Sequence, residues 1–142
     1  MMRAVTHEEY GDSTVLRVAE VPAPEPGPGE VRVRVAAAGV NMADWHLLTG
    51  LPGIARLALG LRRPKDPVRG MDVAGVVDAV GPGVTRLAVG DEVFGEAPGS
   101  FAEAAVAAES ALARKPAAVP WAFSGAASMA GYTALQALRA VG

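Results

Sequence analysis

Valine alternates with arginine through Val31-Arg32-Val33-Arg34-Val35, and this period-two pattern predicts a strand with one buried and one wet face. Val15 to Val21 repeats the pattern less cleanly. Val73-Ala74-Gly75-Val76-Val77-Asp78-Ala79-Val80 is nearly apolar throughout, so this run is expected to lie deeper. Gly81-Pro82-Gly83 turns the chain after it, and Gly90-Asp91 turns it again before Glu92-Val93-Phe94. Short strands punctuated this often, from Met2 to about Ala113, predict a mainly β barrel or sandwich.

Other patterns interrupt the strands. Pro22, Pro24, Pro26 and Pro28 withhold N–H donors at alternate positions, which suits a rigid polyproline-like connector. Residues 41–49 predict a short helix, with Asn41 as cap, Asp44 in the first turn and Gly50 as stop. Residues 51–61, rich in leucine and carrying Arg56, read equally as a loosely helical lid or as a surface loop with some buried leucines. From Trp121 to Ala140 the period-two signal is lost and the sequence becomes Ala-rich and helix-favouring, with Arg139 as its one charge. A helix apolar on every side is expected to be covered on every side, which points to an absent domain or an oligomer interface.

Composition narrows these readings. The 142 residues carry 13 Lys and Arg against 15 Asp and Glu, for a net charge of −2, with no block of like charge. Neither nucleic acid nor an anionic membrane is therefore an expected partner. The N-terminus turns charged before an apolar run of signal-peptide length, so a cytoplasmic protein is expected. The uncharged stretch from Pro116 to Leu138 is broken by Pro120 and poor in large aliphatics, which argues against a membrane span. With no cysteine there is no disulfide and no thiolate metal site. His7, Asp72 and the remaining carboxylates show no ligand spacing, and no metal is assigned.

Five strings in order carry a resemblance: Val18-Ala19-Glu20-Val21-Pro22 with Pro28-Gly29-Glu30-Val31; Ala38-Gly39-Val40-Asn41-Met42-Ala43-Asp44; Gly70-Met71-Asp72-Val73-Ala74-Gly75; Val89-Gly90-Asp91-Glu92-Val93-Phe94-Gly95; and Gly99-Ser100-Phe101-Ala102-Glu103. Together they resemble the N-terminal, GroES-like catalytic domain of the medium-chain dehydrogenase/reductase superfamily, in its quinone oxidoreductase branch. The resemblance implies a partly open GroES-like β-barrel over residues 1–119. Residues 120–142 would be a helical connector toward a Rossmann domain, with Gly142 near the approach to its first strand. No G-x-G-x-x-G fingerprint follows a strand here, so the chain is expected to be truncated or an isolated catalytic domain, and inactive alone.

Zinc enzymes of the superfamily place a cysteine where this chain has Asn41, and a His-Glu pair where it has Met71 and Asp72. An amide and a thioether do not replace thiolate and imidazole as zinc ligands, so the zinc-free quinone and enone reductases are the nearer match. A conjugated acceptor spreads the charge of an incoming hydride, so modest hydrogen bonds suffice where a simple ketone needs a Lewis acid. The resemblance implies NADPH as hydride donor and a quinone or α,β-unsaturated carbonyl as substrate, and it allows a homodimer.

It also assigns residues. Asn41 would lie beside the nicotinamide ribose, although an N-cap needs no further role. Asp44 would support the same cofactor contact or only the helix start. Thr133 would meet the carboxamide, or simply bond back to its own turn. His46 stands where related reductases often have a tyrosine facing the substrate and would donate the proton, or be an ordinary rim histidine. Trp45, Leu51 and Leu57 to Leu61 would line an apolar pocket, or pack, as would Tyr132 at its rim. A non-enzymatic GroES-like binding or assembly module is the alternative reading, and an alcohol dehydrogenase working without zinc is a third.

Overall fold

The computed structural model describes residues 1–141 and is mainly β with short helices. Seven strands form: β1 (Met2–Thr6), β2 (Arg17–Val21), β3 (Glu30–Ala37), β4 (Asp72–Val80), β5 (Glu92–Glu96), β6 (Ala104–Ala108) and β7 (Leu112–Arg114). Five of them make one antiparallel sheet in the order β6-β3-β4-β5-β7, and β1 pairs with β2 in a two-stranded ribbon. The ribbon is tied to the rest along the edge of β1 that faces away from β2: Val5 N–H donates to the Phe101 carbonyl at 2.8 Å, and Arg69 N–H to the Val5 carbonyl at 3.2 Å. The result is a curled half-barrel.

Alternation works as the sequence predicts. Val31 and Val33 are fully buried, while Arg34 is exposed and Arg32 lies on the outer face. Arg32 reaches Asp78 on β4 at 2.8 Å and Glu25 at 3.0 Å, which moors the proline-rich connector to the sheet. The head of β4 is buried without interruption from Asp72 to Gly75, because β3 and β5 flank it on both sides. Val31, Val33, Val73, Val77, Val93 and Leu112 make the centre of the core with Leu87 and three alanines added by β5's end and β6. Each fully buried Val or Leu contributes about 1.5–3 kcal/mol.

Four helices complete the chain: α1 (Met42–Thr49), α2 (Arg56–Leu59), α3 (Trp121–Gly125) and α4 (Ser128–Val141). The expected single helix from Trp121 to Ala140, apolar on all sides, is corrected here. It is two helices broken at Ala126 and Ala127, and residues 130–141 are exposed. The break has a packing cause: Gly125 presses on Ala37, where a Cβ would lie 2.9 Å from the alanine's carbonyl carbon and Cβ. Docking α3 there outweighs the helix propensity of the alanines. No helix among the described residues is long and apolar enough to cross a membrane. The approach to a following strand expected at Gly142 lies outside the described residues.

Candidate active site

The site begins where β3 ends. A Cβ on Gly39 would lie 2.7 Å from the Gly125 carbonyl oxygen, so only glycine lets the chain pass α3 and deliver Asn41 to the start of α1. Asn41 caps that helix. The Asp44 carboxylate accepts from the Asn41 backbone N–H at 2.8 Å, while the Asp44 N–H is spent on the Asn41 backbone carbonyl at 3.0 Å. The Asn41 Nδ2 is closed off from solvent without a hydrogen-bond partner among the described residues. Such a donor costs stability unless something supplies an acceptor.

Three more buried polar groups gather here. Asp44 and Arg69 are nearly inaccessible and Asp72 is wholly so. Burial pushes the Asp44 carboxyl above the usual carboxylate range, opposed by the Asn41 N–H and by Arg69 and reinforced by the like charge of Asp72. Burial likewise disfavours the charged form of Arg69, against the pull of Asp66, Asp44 and Tyr10. The Arg69 guanidinium donates to the Asp66 carbonyl, and its Nε has no partner among the described residues. Asp72 heads β4 and faces the start of α4, where the Met129 N–H lies 3.2 Å from Oδ1 and 3.4 Å from Oδ2. Two neighbouring carboxylates therefore sit at the positive ends of two helices, Asp44 at α1 and Asp72 at α4.

Arg69, Gly70 and Met71 also line a cavity of about 430 Å³, closed by Leu47 of α1, Leu59 of α2 and the Pro98-Gly99 turn. Its walls are mostly apolar, with Lys65, Asp66 and Arg69 as the charged residues of the lining.

The structure separates the sequence-assigned residues. Asn41 and Asp44 stand together. His46 lies on the exposed flank of α1, its Nδ1 is 2.8 Å from the Leu51 carbonyl, and its ring meets Trp45 edge-on at 5.0 Å. A carbonyl only accepts, so Nδ1 carries hydrogen and Nε2 of the neutral ring is an acceptor that donates only as imidazolium. Thr133 is exposed and donates to the Met129 carbonyl at 2.9 Å, bonding back to its own turn. Neither His46 nor Thr133 lines the cavity beside Arg69.

Of the expected apolar lining, Ala58 and Leu59 contribute, whereas Trp45, Leu51, Leu57 and Leu61 point to solvent. The segment 51–61 is a 3₁₀ turn followed by the single turn of α2, with its leucines mostly outside. Tyr132 borders a different space, about 370 Å³ between α4 and the β5–β7 edge. Sequence reasoning missed Arg69 and gave Asp72 no role. The available signal was an acid opening an otherwise apolar strand directly after Arg69-Gly70-Met71.

A curled half-barrel with helices at one end and a polar cluster at the head of its central strand is the catalytic-domain frame of the medium-chain dehydrogenases and reductases. The chain belongs to the alcohol dehydrogenase GroES-like domain family, whose pattern it matches over residues 27–139. It is 32% identical over 142 residues to a quinone oxidoreductase of Lama guanicoe, covering 97% of this chain and 41% of that protein. Its fold superposes on the quinone oxidoreductase of Coxiella burnetii with a TM-score of 0.88 at 28% identity, covering 97% of this chain and 44% of the other. The Escherichia coli quinone oxidoreductase solved with NADPH gives 0.83 at 26% identity, over 96% of this chain and 40% of the other. The chain thus spans less than half the length of the relatives it matches.

Proposed function

We propose that these residues form the substrate-side domain of an NADPH-dependent reductase of quinones or α,β-unsaturated carbonyls, working without zinc. The observation that carries this reading is the orphaned amide of Asn41, set at the head of α1 beside the buried Asp44, Arg69 and Asp72. A buried donor without a protein acceptor fits a cofactor rich in ribose and carboxamide oxygens. When bound, NADPH supplies the hydride.

Asn41 would hold the cofactor by donating from Nδ2, and its backbone is kept in place by the Asp44 carboxylate. Thr133 retains oxygen lone pairs after donating to its own helix and would accept from the cofactor's amide. The cavity beside Arg69 would take the substrate and exclude water, with the guanidinium near the oxygen on which charge develops. The proton would follow from water, or from His46 Nε2 while protonated if the substrate extends out of the cavity to the exposed flank of α1, where the Leu51 carbonyl holds the ring. In support of zinc-independence, Asn41, Met71 and Asp72 offer no thiolate or imidazole, and among the described residues no three His, Cys, Asp or Glu side chains cluster at metal-binding range.

The test is steady-state turnover by the full gene-encoded polypeptide with deuterated NADPH and a small quinone or enone. NADPH oxidation by either acceptor at a rate unchanged by chelators, with deuterium held at the β-carbon of the reduced enone (label passed to a quinone exchanges into water as O–D), is the expected result. Absence of turnover would overturn the function, and chelator-sensitive turnover restored by Zn²⁺ would overturn the zinc-free part.

A further inference from the structure

We propose that Asp72 is a positioning residue that fixes α4, and with it Thr133, relative to Asn41; the cofactor half of this inference rests on the function proposed above. Asp72 is wholly buried at the first position of β4, a strand held on both edges by β3 and β5. It is therefore a rigid anchor. Both carboxylate oxygens lie within reach of one donor, the Met129 N–H. That N–H belongs to the first turn of α4, where the chain has no carbonyl four residues back to offer it within the helix, since the first such bond runs from Gly131 to Ala127.

The rest of α4 has little else to hold it. Ser128 is its one buried residue, and everything from Ala130 onward is exposed. The helix does not lie flush on the sheet: Gly131, Tyr132 and Leu135 face Phe94 and Leu112 across the cavity of about 370 Å³. Among the described residues, the polar contact that ties α4 to the sheet is therefore the one at its first turn. Thr133 stands one turn further on and is bonded to the carbonyl of Met129, the same residue whose N–H Asp72 grips. A shift of Met129 moves Thr133 with it.

The neighbouring carboxylate completes the device. Asp44 holds the Asn41 backbone at the start of α1, so the two residues assigned to the cofactor are each tied to one member of a buried acid pair. Each sits at a helix N-terminus, and on Asp44 burial and the nearby Asp72 outweigh the opposing Asn41 N–H and Arg69. Burying two acids this close is costly, and a purely structural contact between β4 and α4 would be met more cheaply by apolar residues.

Three variants of the full-length protein test the link. Asp72→Ala removes the acceptor, Asp72→Asn keeps an acceptor oxygen without the charge, and Met129→Pro removes the donor while leaving Asp72 in place, in the first turn where the lost N–H breaks no bond within the helix. Two readouts are taken: amide hydrogen exchange of residues 130–134, and NADPH affinity by fluorescence titration set against the KM for the quinone. With Asp72→Ala and Met129→Pro, exchange should quicken and NADPH should bind about tenfold more weakly, with the quinone KM within twofold of the parent. Asp72→Asn should recover most of both. Unchanged exchange in Met129→Pro overturns the positioning role, as does equal damage to NADPH and quinone or an Asp72→Asn variant as impaired as Asp72→Ala. A parent protein that binds no NADPH removes the functional reading, and the exchange measurement then still decides whether Asp72 holds α4.

Discussion

Asn41 has an amide donor that the chain shuts away from water and leaves without an acceptor. A group kept in that condition lowers stability, and a bound ligand that offered an acceptor would relieve the cost. Asn41→Ala should therefore separate the two quantities. Its cost in urea unfolding should stay within about 1 kcal/mol, the usual worth of an N-cap. The kcat/KM with NADPH in the full-length protein should fall about tenfold or more, because one hydrogen bond to the cofactor is lost. A stability loss larger than the catalytic loss would make Asn41 a cap and nothing else. Asn41 and Asp44 are legible in the sequence because capping is local: cap and third helical residue lie three positions apart before a run of helix formers. Asp72 is not legible in that way. Its partner Met129 lies 57 positions downstream, and an acid opening an apolar strand looks like an ordinary wet end until the two helices are seen to converge on it.

At the scale of elements, β3 and β4 follow directly from their sequences, since alternation and continuous apolarity report one-sided and two-sided burial. What the pattern cannot show is how closely the backbones approach. Gly75, in the buried half of β4, would place a Cβ 2.1 Å from the Arg34 carbonyl oxygen and 2.7 Å from a Val33 methyl. Neither neighbour has room to retreat, because both belong to β3, an interior strand paired on both edges. Gly75→Ala should cost about 1–3 kcal/mol in chemical denaturation, the usual range for overpacking, despite improving local propensity. An unchanged midpoint would mean that the β3–β4 pair is looser than this geometry. The same limit explains the split of the C-terminal helix: residue propensities average over the alanines, whereas the contact of Gly125 with Ala37 decides where the chain must bend.

For the molecule as a whole, titration adds up charges that the net value of −2 conceals. Asp12, Asp91 and Glu103 are held below the usual carboxylate range, chiefly by hydrogen bonds from Thr14, Ala88 and Arg3. Glu109 is lowered too, its partial burial outweighed by the backbone N–H groups of Arg86, Leu87 and Thr85. Their contribution is present above their ordinary values and is lost as pH falls through the lowered ones. His7 is buried and favours its neutral form, so it adds stability that is likewise lost as pH falls below the ordinary histidine value. Asp44 acts in the opposite sense. Its folded carboxyl holds a proton more tightly than the unfolded chain does, so stability declines as pH rises from about 4, the ordinary aspartate value, through the raised one. Asp44→Asn keeps an oxygen to accept the Asn41 N–H and removes the ionisation. The stability of this variant minus that of the parent should then climb with pH across the window above about 4 and level off once Asp44 is fully ionised. His7 and the surface carboxylates cancel in that difference, and Arg69 stays charged throughout, so its lost partner shifts the curve without bending it. Chemical denaturation at a series of pH values measures it directly. A flat difference curve would mean that Asp44 titrates alike in the folded and unfolded chain, and that the acid pair beneath α1 and α4 stores no electrostatic strain.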